Sequence, residues 1–359
     1  SFPTRRSSDL KNCPHTYVSC FADDTRVLGI VKDARDVENV QADLKEIFKW
    51  AGENNMQFNE SKFELLRYGK NSDLKAGSSY LCSNDAAIEE KDSLRDLGVQ
   101  MQNNALFDEQ IIKVEASGRR QCSWALRTFL ARDKITMLTL WKQLIQPVMD
   151  YCSPLWIPHK QKDLDRLEAV QRSFTSKITE VKELDYYDRL NDLRLYSIQR
   201  RFERFMIINV WKILEGYTVN VNEKIVVQVT MRNQARIGRM CYYKVPERTG
   251  GETIKTVAFN SFTCRAPRLF NRMPLEIREI KRVPQLSTTA NILRFKSRLD
   301  KYLSCITDKP LINGYPHCGD NSLPQRVADW RMLQKHENAA VTAQVEKVTA
   351  AVGQVAATL

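Results

Sequence analysis

Two periods of hydrophobic and polar residues alternate along this chain. Between Tyr17 and Val31 the residues YVSCFADDTRVLGIV form two short apolar runs around Ala-Asp-Asp. Such runs, rich in β-branched and aromatic residues and broken by a polar pair, predict a β-hairpin with buried-strand arms and Asp23 and Asp24 at or near its turn. From Asp33 to Ala51 the period lengthens. Val37, Val40, Leu44, Ile47, Phe48 and Ala51 recur at spacings that place them on one face of an amphipathic helix. Asp33 is set to cap that helix, and Asp36 and Glu38 favour the positive end of its dipole. Met56–Asn59 and Lys62–Tyr68 read as strand material around a turn. Asp96-Leu-Gly-Val99 reads as the centre of a further hairpin, although a strand glycine alone often marks only a bulge.

Residues from about Phe107 to Leu214 carry helical periods. Phe107 to Leu130 has Ile111, Val114, Cys122 and Ala125 among its apolar positions, with Gly118 weakening the middle. A second helix is predicted from Lys134 to about Gln146, with Pro147 ending or kinking it. Tyr151-Cys-Ser-Pro-Leu-Trp156 offers aromatics for base stacking or for core packing, and helix junctions favour the core. Asp163 to Ile178 is the cleanest amphipathic stretch, with Leu164, Leu167, Val170, Phe174 and Ile178 in one stripe and Arg172 and Lys177 off it. Ser197 to Leu214 sets Arg200, Arg201 and Arg204 beside Phe202, Phe205, Ile208 and Trp211. Beyond Gly216 the composition shifts to β-branched residues. Thr253–Phe259 is a predicted strand, Asn271-Arg-Met-Pro274 a turn, and Phe295–Leu303 a helix. Residues 310–324 are loop-like, and the end of the chain is Ala/Val-rich.

The chain has 359 residues, 43% of them hydrophobic, which is room for two or three domains with real cores. Its net charge of +12 points to an anionic partner. Basic residues off an apolar stripe are a solvated face in most helices. In so basic a chain Arg172, Lys177, Arg200, Arg201 and Arg204 are also candidates for phosphate contacts. No window reaches the eighteen apolar residues of a membrane span, so no membrane partner is expected. Nine cysteines are scattered without a CxxC pair, which fits an intracellular setting, cytoplasm or nucleus, rather than a disulfide framework. His317-Cys318 lacks the second close pair that a zinc site needs. There is no glycine-rich phosphate loop, HExxH or nucleophile elbow.

An Asp-Asp pair by itself is a common surface turn. Here its flanks, Phe21-Ala-Asp-Asp24, resemble the aspartate-pair hairpin of reverse transcriptases of non-LTR (LINE, jockey-like) retrotransposons. The order that follows is similar too. Phe58-Asn59 with Lys62 resembles the next motif, and Leu97-Gly98-Val99 resembles the primer grip. The helices after it resemble a thumb, and Asn271-Arg-Met-Pro274 with Phe295-Lys296 resembles the family's tail. The resemblance implies an α+β chain with a partial polymerase palm over 11–105, a helical thumb-like region over 106–215, a mixed region over 216–310 and a tail over 311–359. Ser1–Leu10 resembles a translated sequencing adapter, a scar rather than part of the fold, and on that reading the sequence begins inside the palm.

By the same resemblance the chemistry is RNA-directed DNA synthesis with Mg²⁺ or Mn²⁺, on an RNA template and a DNA primer. Asp23 is the firmer metal ligand and Asp24 its partner. Lys62 serves the pyrophosphate, and Leu97, Gly98 and Val99 place the primer end. The family's early palm carboxylate and fingers have no counterpart here, so the chain alone is expected to be inactive. A noncatalytic nucleic-acid-binding remnant and a group II intron maturase-like protein are the alternatives. Nothing in the sequence sets an oligomeric state.

Overall fold

The computed structural model describes residues 13–22, 24–56, 58–69, 74, 78–218, 227–228, 241–242, 257–306 and 308. They fall in two compact units, Ser1–Ala105 and Leu106–Leu359. The expectations for residues 1–10, for Asp23, for the tail from 311 and for most of 219–256 lie outside the described residues.

In the first unit, strands β1 (Thr16–Phe21) and β2 (Asp24–Gly29) pair antiparallel, with Thr16 opposite Gly29 and Phe21 opposite Asp24. Helix α1 (Ala34–Glu53) covers one face. It closes on Gly29 so tightly that a Cβ there would lie 2.5 Å from Val40 Cγ2. Asp33 caps α1 as expected, accepting from the Asp36 amide at 3.0 Å. Val40, Ile47 and Ala51 are buried, and Val18 of β1 with them. The hairpin arms differ from the expectation of buried strands: Tyr17, Phe21 and Leu28 are exposed. Successive strand residues face opposite sides, and this two-stranded sheet has one covered face.

Asp43 lies inside the apolar stripe of α1 and is buried. Its carboxylate accepts from the His15 amide at 3.0 Å and the Thr16 hydroxyl at 2.8 Å, which fastens the start of β1 to the helix. Gln41 likewise grips Leu81, accepting from its amide at 2.8 Å and donating to its carbonyl at 3.1 Å. After α1 the strand expectation is corrected. Glu60–Lys62 is a 3-10 turn, and only β3 (Glu64–Leu65) is strand, parallel to β4 (Glu89–Glu90). Phe48, Phe58 and Phe63 cluster with ring centroids 5.7–6.0 Å apart, so side-chain packing rather than a ladder holds this segment. The second hairpin forms as predicted from β5 (Ser93–Asp96) and β6 (Val99–Gln102).

The second unit is built on helices. α2 (Asp108–Thr128) runs unbroken through Gly118. That glycine lies where α2 meets its neighbours: a Cβ would stand 3.3 Å from Val170 Cγ1 and 3.4 Å from Met149 Cγ. The helix therefore accepts the poor propensity of glycine for close packing. Gly118→Leu is expected to cost about 1–3 kcal/mol by overpacking, read from urea unfolding; an unchanged midpoint would contradict this packing.

α3 (Lys134–Leu140) does not end or break at Pro147. A wide π-turn, Trp141–Ile145, intervenes, and α4 (Gln146–Asp150) continues with the proline in its first turn. The widened turn just before the proline is what lets the helix run on, since it changes the hydrogen-bond pattern where the ring would clash and the N–H is missing. α5 (Ser153–Trp156) buries Trp156, while Tyr151 stays exposed.

The stripe of α6 (Gln161–Thr175) is buried as predicted, from Leu164 to Phe174 and on to Ile178. α7 (Tyr186–Asp192) leads to α8 (Ile198–Leu214), which is buried nearly all round. One side of α8 meets α5 and α6, with Trp156 of α5 packed edge-on to Phe202 at 5.6 Å. The other side shares a core with α9 (Phe262–Arg272), α10 (Leu275–Arg278) and α11 (Thr288–Ser304). Trp211 stacks on Phe295 at 4.4 Å and donates to the Ile280 carbonyl at 2.6 Å. The Met273-Pro274 break between α9 and α10 matches the predicted turn. Of the strand expected over Thr253–Phe259, 253–256 lie outside the described residues, and 257–260 are helical, set off from α9 by Ser261, the extended residue that precedes it. A short antiparallel pair joins β7 (Val227–Gln228) to β8 (Cys241–Tyr242). Among the described residues no helix is long and apolar enough to cross a membrane.

Candidate functional site

The register that closes Phe21 on Asp24 leaves a two-residue connection, and Ala22 takes the left-handed conformation at φ 55°. A non-glycine residue there costs about 1–2 kcal/mol, so the turn is held by its arms rather than chosen by its sequence. Asp24 begins β2 on the solvent side, and its side chain is exposed. No ion pair among the described residues neutralises it. Carboxylate oxygens without a cationic partner suit a hard divalent cation, which takes one or two of them. Among the described residues, no group of three or more His, Cys, Asp or Glu side chains is arranged for a metal. Asp23 lies outside the described residues.

The two hairpins of the first unit are tied together. Arg26 of β2 forms an ion pair with Asp96 of β5. This brings the strand behind Asp24 beside the residue that precedes Leu97. In the second turn Leu97 has φ 44° and Gly98 φ 86°. Both positive values are what a two-residue turn needs to match strand twist, and glycine meets the need without cost. Leu97 meets it with strain and still leaves its side chain 38% exposed, whereas Val99 is buried at 2%. The Leu97-Gly98-Val99 triplet therefore divides into a presented side chain, a permissive turn residue and an anchor. Lys62 sits exposed at the end of the 3-10 turn, beside the Phe48–Phe58–Phe63 cluster that fixes that turn. Arg26, Asp43 and Asp96 are the positioning residues that sequence reading missed. Asp43 was visible as a carboxylate interrupting an apolar stripe.

The second unit changes the set of candidate phosphate contacts. Arg200 and Arg201 are only 1% and 5% exposed. Arg200 donates to the Leu303 carbonyl at 3.0 Å and to the Ile306 carbonyl, with Asp308 at 3.4 Å. Arg201 pairs with Asp150 at 2.8 Å and donates to Gln171 at 3.1 Å. Arg204 forms a two-pronged pair with Asp300, at 2.5 and 2.7 Å. These three arginines hold α8 to its neighbours and are not a solvated face. Arg172 and Lys177 remain exposed, as expected, and the Arg172 guanidinium lies 4.6 Å from the Tyr186 ring centroid.

A buried polar node accompanies them. Glu168 accepts from the Tyr186 hydroxyl and, through both oxygens, from the Ile198 amide at 2.9 and 3.2 Å. Burial pushes its pKa up to about 7, against the pull of these hydrogen bonds. Burial and the neighbouring Glu168 raise the Tyr186 pKa. Burial also raises that of Asp150, although Arg201 opposes it. His159, by contrast, is shifted down by burial and by the charges of Lys160 and Arg265.

No family model, no curated protein and no solved structure matches this chain.

Proposed function

We propose that this chain contributes the aspartate-pair half of a polymerase palm and a helical thumb-like unit to an RNA-directed DNA polymerase of the non-LTR retrotransposon kind. The observation that carries this reading is the β1–β2 hairpin. A Phe-Ala-Asp-Asp segment closes on a two-residue connection, one face rests on α1, and Arg26 ties it to a second hairpin with Leu97-Gly98 at its turn. A surface turn needs none of these attachments.

In this reading Asp23 and Asp24 hold Mg²⁺ or Mn²⁺, which when bound activates a primer 3′ oxygen and offsets charge on the leaving pyrophosphate. Asp24 supplies exposed carboxylate oxygens from the first position of β2. Lys62 supplies a cation that favours the departing anionic group. Leu97, presented on a strained turn, makes apolar contact with the primer end; strain kept at an exposed position is a mark of function. The partners are an RNA template and a DNA primer.

The purified 359-residue chain is expected to leave a primed RNA template unextended with either metal, because two carboxylates hold a metal pair poorly without a third. Template-dependent extension that Asp23→Ala abolishes would overturn the partial-palm part of this reading while upholding its chemistry.

A further inference from the structure

With Arg200 and Arg201 buried and Arg204 held by Asp300, the outer face of α2 becomes the cationic surface of most interest in the second unit. Its inner face is apolar and buried, through Ile111, Val114, Cys122 and Ala125. On the opposite face Lys113, Arg120, Trp124 and Arg127 follow at helical spacings, and all four are exposed. The cations span about 21 Å at 1.5 Å per residue.

Two features separate this face from an ordinary solvated one. First, among the described residues no ion pair holds Lys113, Arg120 or Arg127. Arg120 donates only a 3.1 Å bond to the Ser117 hydroxyl. The adjacent Arg119 and Arg166, in contrast, both pair with Glu115. Secondly, Trp124 stands 45% exposed amid the cations, edge-on to Phe129 with centroids 6.0 Å apart. Phe129 is itself fixed: Arg132 donates to its carbonyl and, at 2.7 Å, to that of Leu126 at the end of α2. The Trp124 ring is therefore braced by Phe129 while nearly half of its surface faces solvent. A rigid, exposed aromatic between unpaired cations suits a partner that offers phosphates and flat bases together, and a base can stack only when it is unpaired.

We propose that this face of α2 binds an unpaired polynucleotide strand, with Lys113, Arg120 and Arg127 on phosphates and Trp124 stacked on a base. The proposal deepens the polymerase reading, which is what makes a polynucleotide the partner. It assigns the contact to α2 and to a single strand.

Fluorescence anisotropy with a labelled RNA of about 12 nucleotides tests it, alongside DNA of the same sequence and the matching duplex. Replacing Lys113, Arg120 and Arg127 together by Gln is expected to lower the magnitude of the log-affinity salt slope by about 2, at about 0.7 per phosphate for single strands. Removing the same charge at Arg35, Lys45 and Lys49 of α1, also exposed, is expected to leave that slope nearly intact. Trp124→Ala is expected to weaken binding by about 5- to 150-fold without changing the slope, and Trp124→Phe to recover most of the loss. RNA and DNA strands should behave alike. Equal losses from the α1 and α2 triple variants, no effect of Trp124→Ala, or a preference for duplex that is indifferent to Trp124 would each overturn the assignment. Asp23→Ala, which tests the polymerase reading, should leave this binding unchanged, so the two fail separately.

Discussion

Arg200→Ala and Arg201→Ala are each expected to lower the unfolding free energy of the second unit by about 3–5 kcal/mol, the range for removing one partner of a buried, hydrogen-bonded ion pair. Arg201 lies between Asp150 and Gln171, both largely shielded from water, so its loss leaves a carboxylate without its cation. Arg200 satisfies the carbonyls of Leu303 and Ile306, where α11 ends, and faces Asp308. Without it the buried Ile306 carbonyl loses its donor, the costly case for a polar group, while Leu303 keeps its bond from the Ile306 amide at 3.1 Å. Urea unfolding followed by tryptophan fluorescence reads the effect, since Trp141, Trp156 and Trp211 are buried in this unit. A loss below about 1 kcal/mol would show that these arginines are not structural. The same variants made to test phosphate binding would report unfolding instead.

Glu168 gives the second large effect, and its sign is set by burial. Its pKa stands at about 7 in the folded chain against an ordinary 4.5. Between those values the folded chain holds a proton that the unfolded chain releases. The stability this contributes is present in full below pH 4.5 and is lost as pH rises through 7. At 1.36 kcal/mol per pH unit the window amounts to about 3 kcal/mol. His159, with its lowered pKa, acts the opposite way: its contribution is present above its ordinary 6.5 and is lost as pH falls. The comparison is therefore between the wild type and Glu168→Gln, which keeps a side-chain acceptor for the Ile198 amide but cannot ionise. The wild type is expected to lose stability relative to the variant as pH rises from 5 to 8. Parallel curves would contradict the burial of an ionisable group at this node.

The sequence was most legible where a single periodicity governed a segment. The stripe of α6 from Leu164 to Phe174 is one-sided, so spacing alone identified its inner face. The β5–β6 turn was legible because Gly98 supplies a positive φ that few residues tolerate. Arg201 and Arg204 were misread because their partners, Asp150 and Asp300, lie 51 and 96 residues away, and a local charge pattern carries no trace of such pairings. Helix α8 is also apolar on both flanks of its arginine stripe, which is the signature of a buried helix rather than a surface one. Pro147 was read as ending or kinking its helix because a proline clashes with the preceding turn. The widened turn at Trp141–Ile145 shows how the chain passes it. At the hairpin the place of Asp24 beside the turn was legible, and so was the helix that covers one face of the strands. The attachment through Arg26 and Asp96 was not, because each residue looks like an ordinary charged strand position until the two hairpins meet.

The most direct measurement is RNA-templated primer extension by the polypeptide encoded by the whole reading frame that carries these residues. The comparison includes Asp23→Ala, Asp24→Ala and the helix-cap variant Asp33→Ala. The expected result is metal-dependent synthesis on a primed RNA template, abolished by Asp23→Ala, strongly reduced by Asp24→Ala and kept by Asp33→Ala, whose carboxylate only caps α1 at a cost of about 1 kcal/mol. Extension that survives Asp23→Ala, or that Asp33→Ala impairs equally, would mean the Asp-Asp pair is a surface turn and the hairpin no polymerase site.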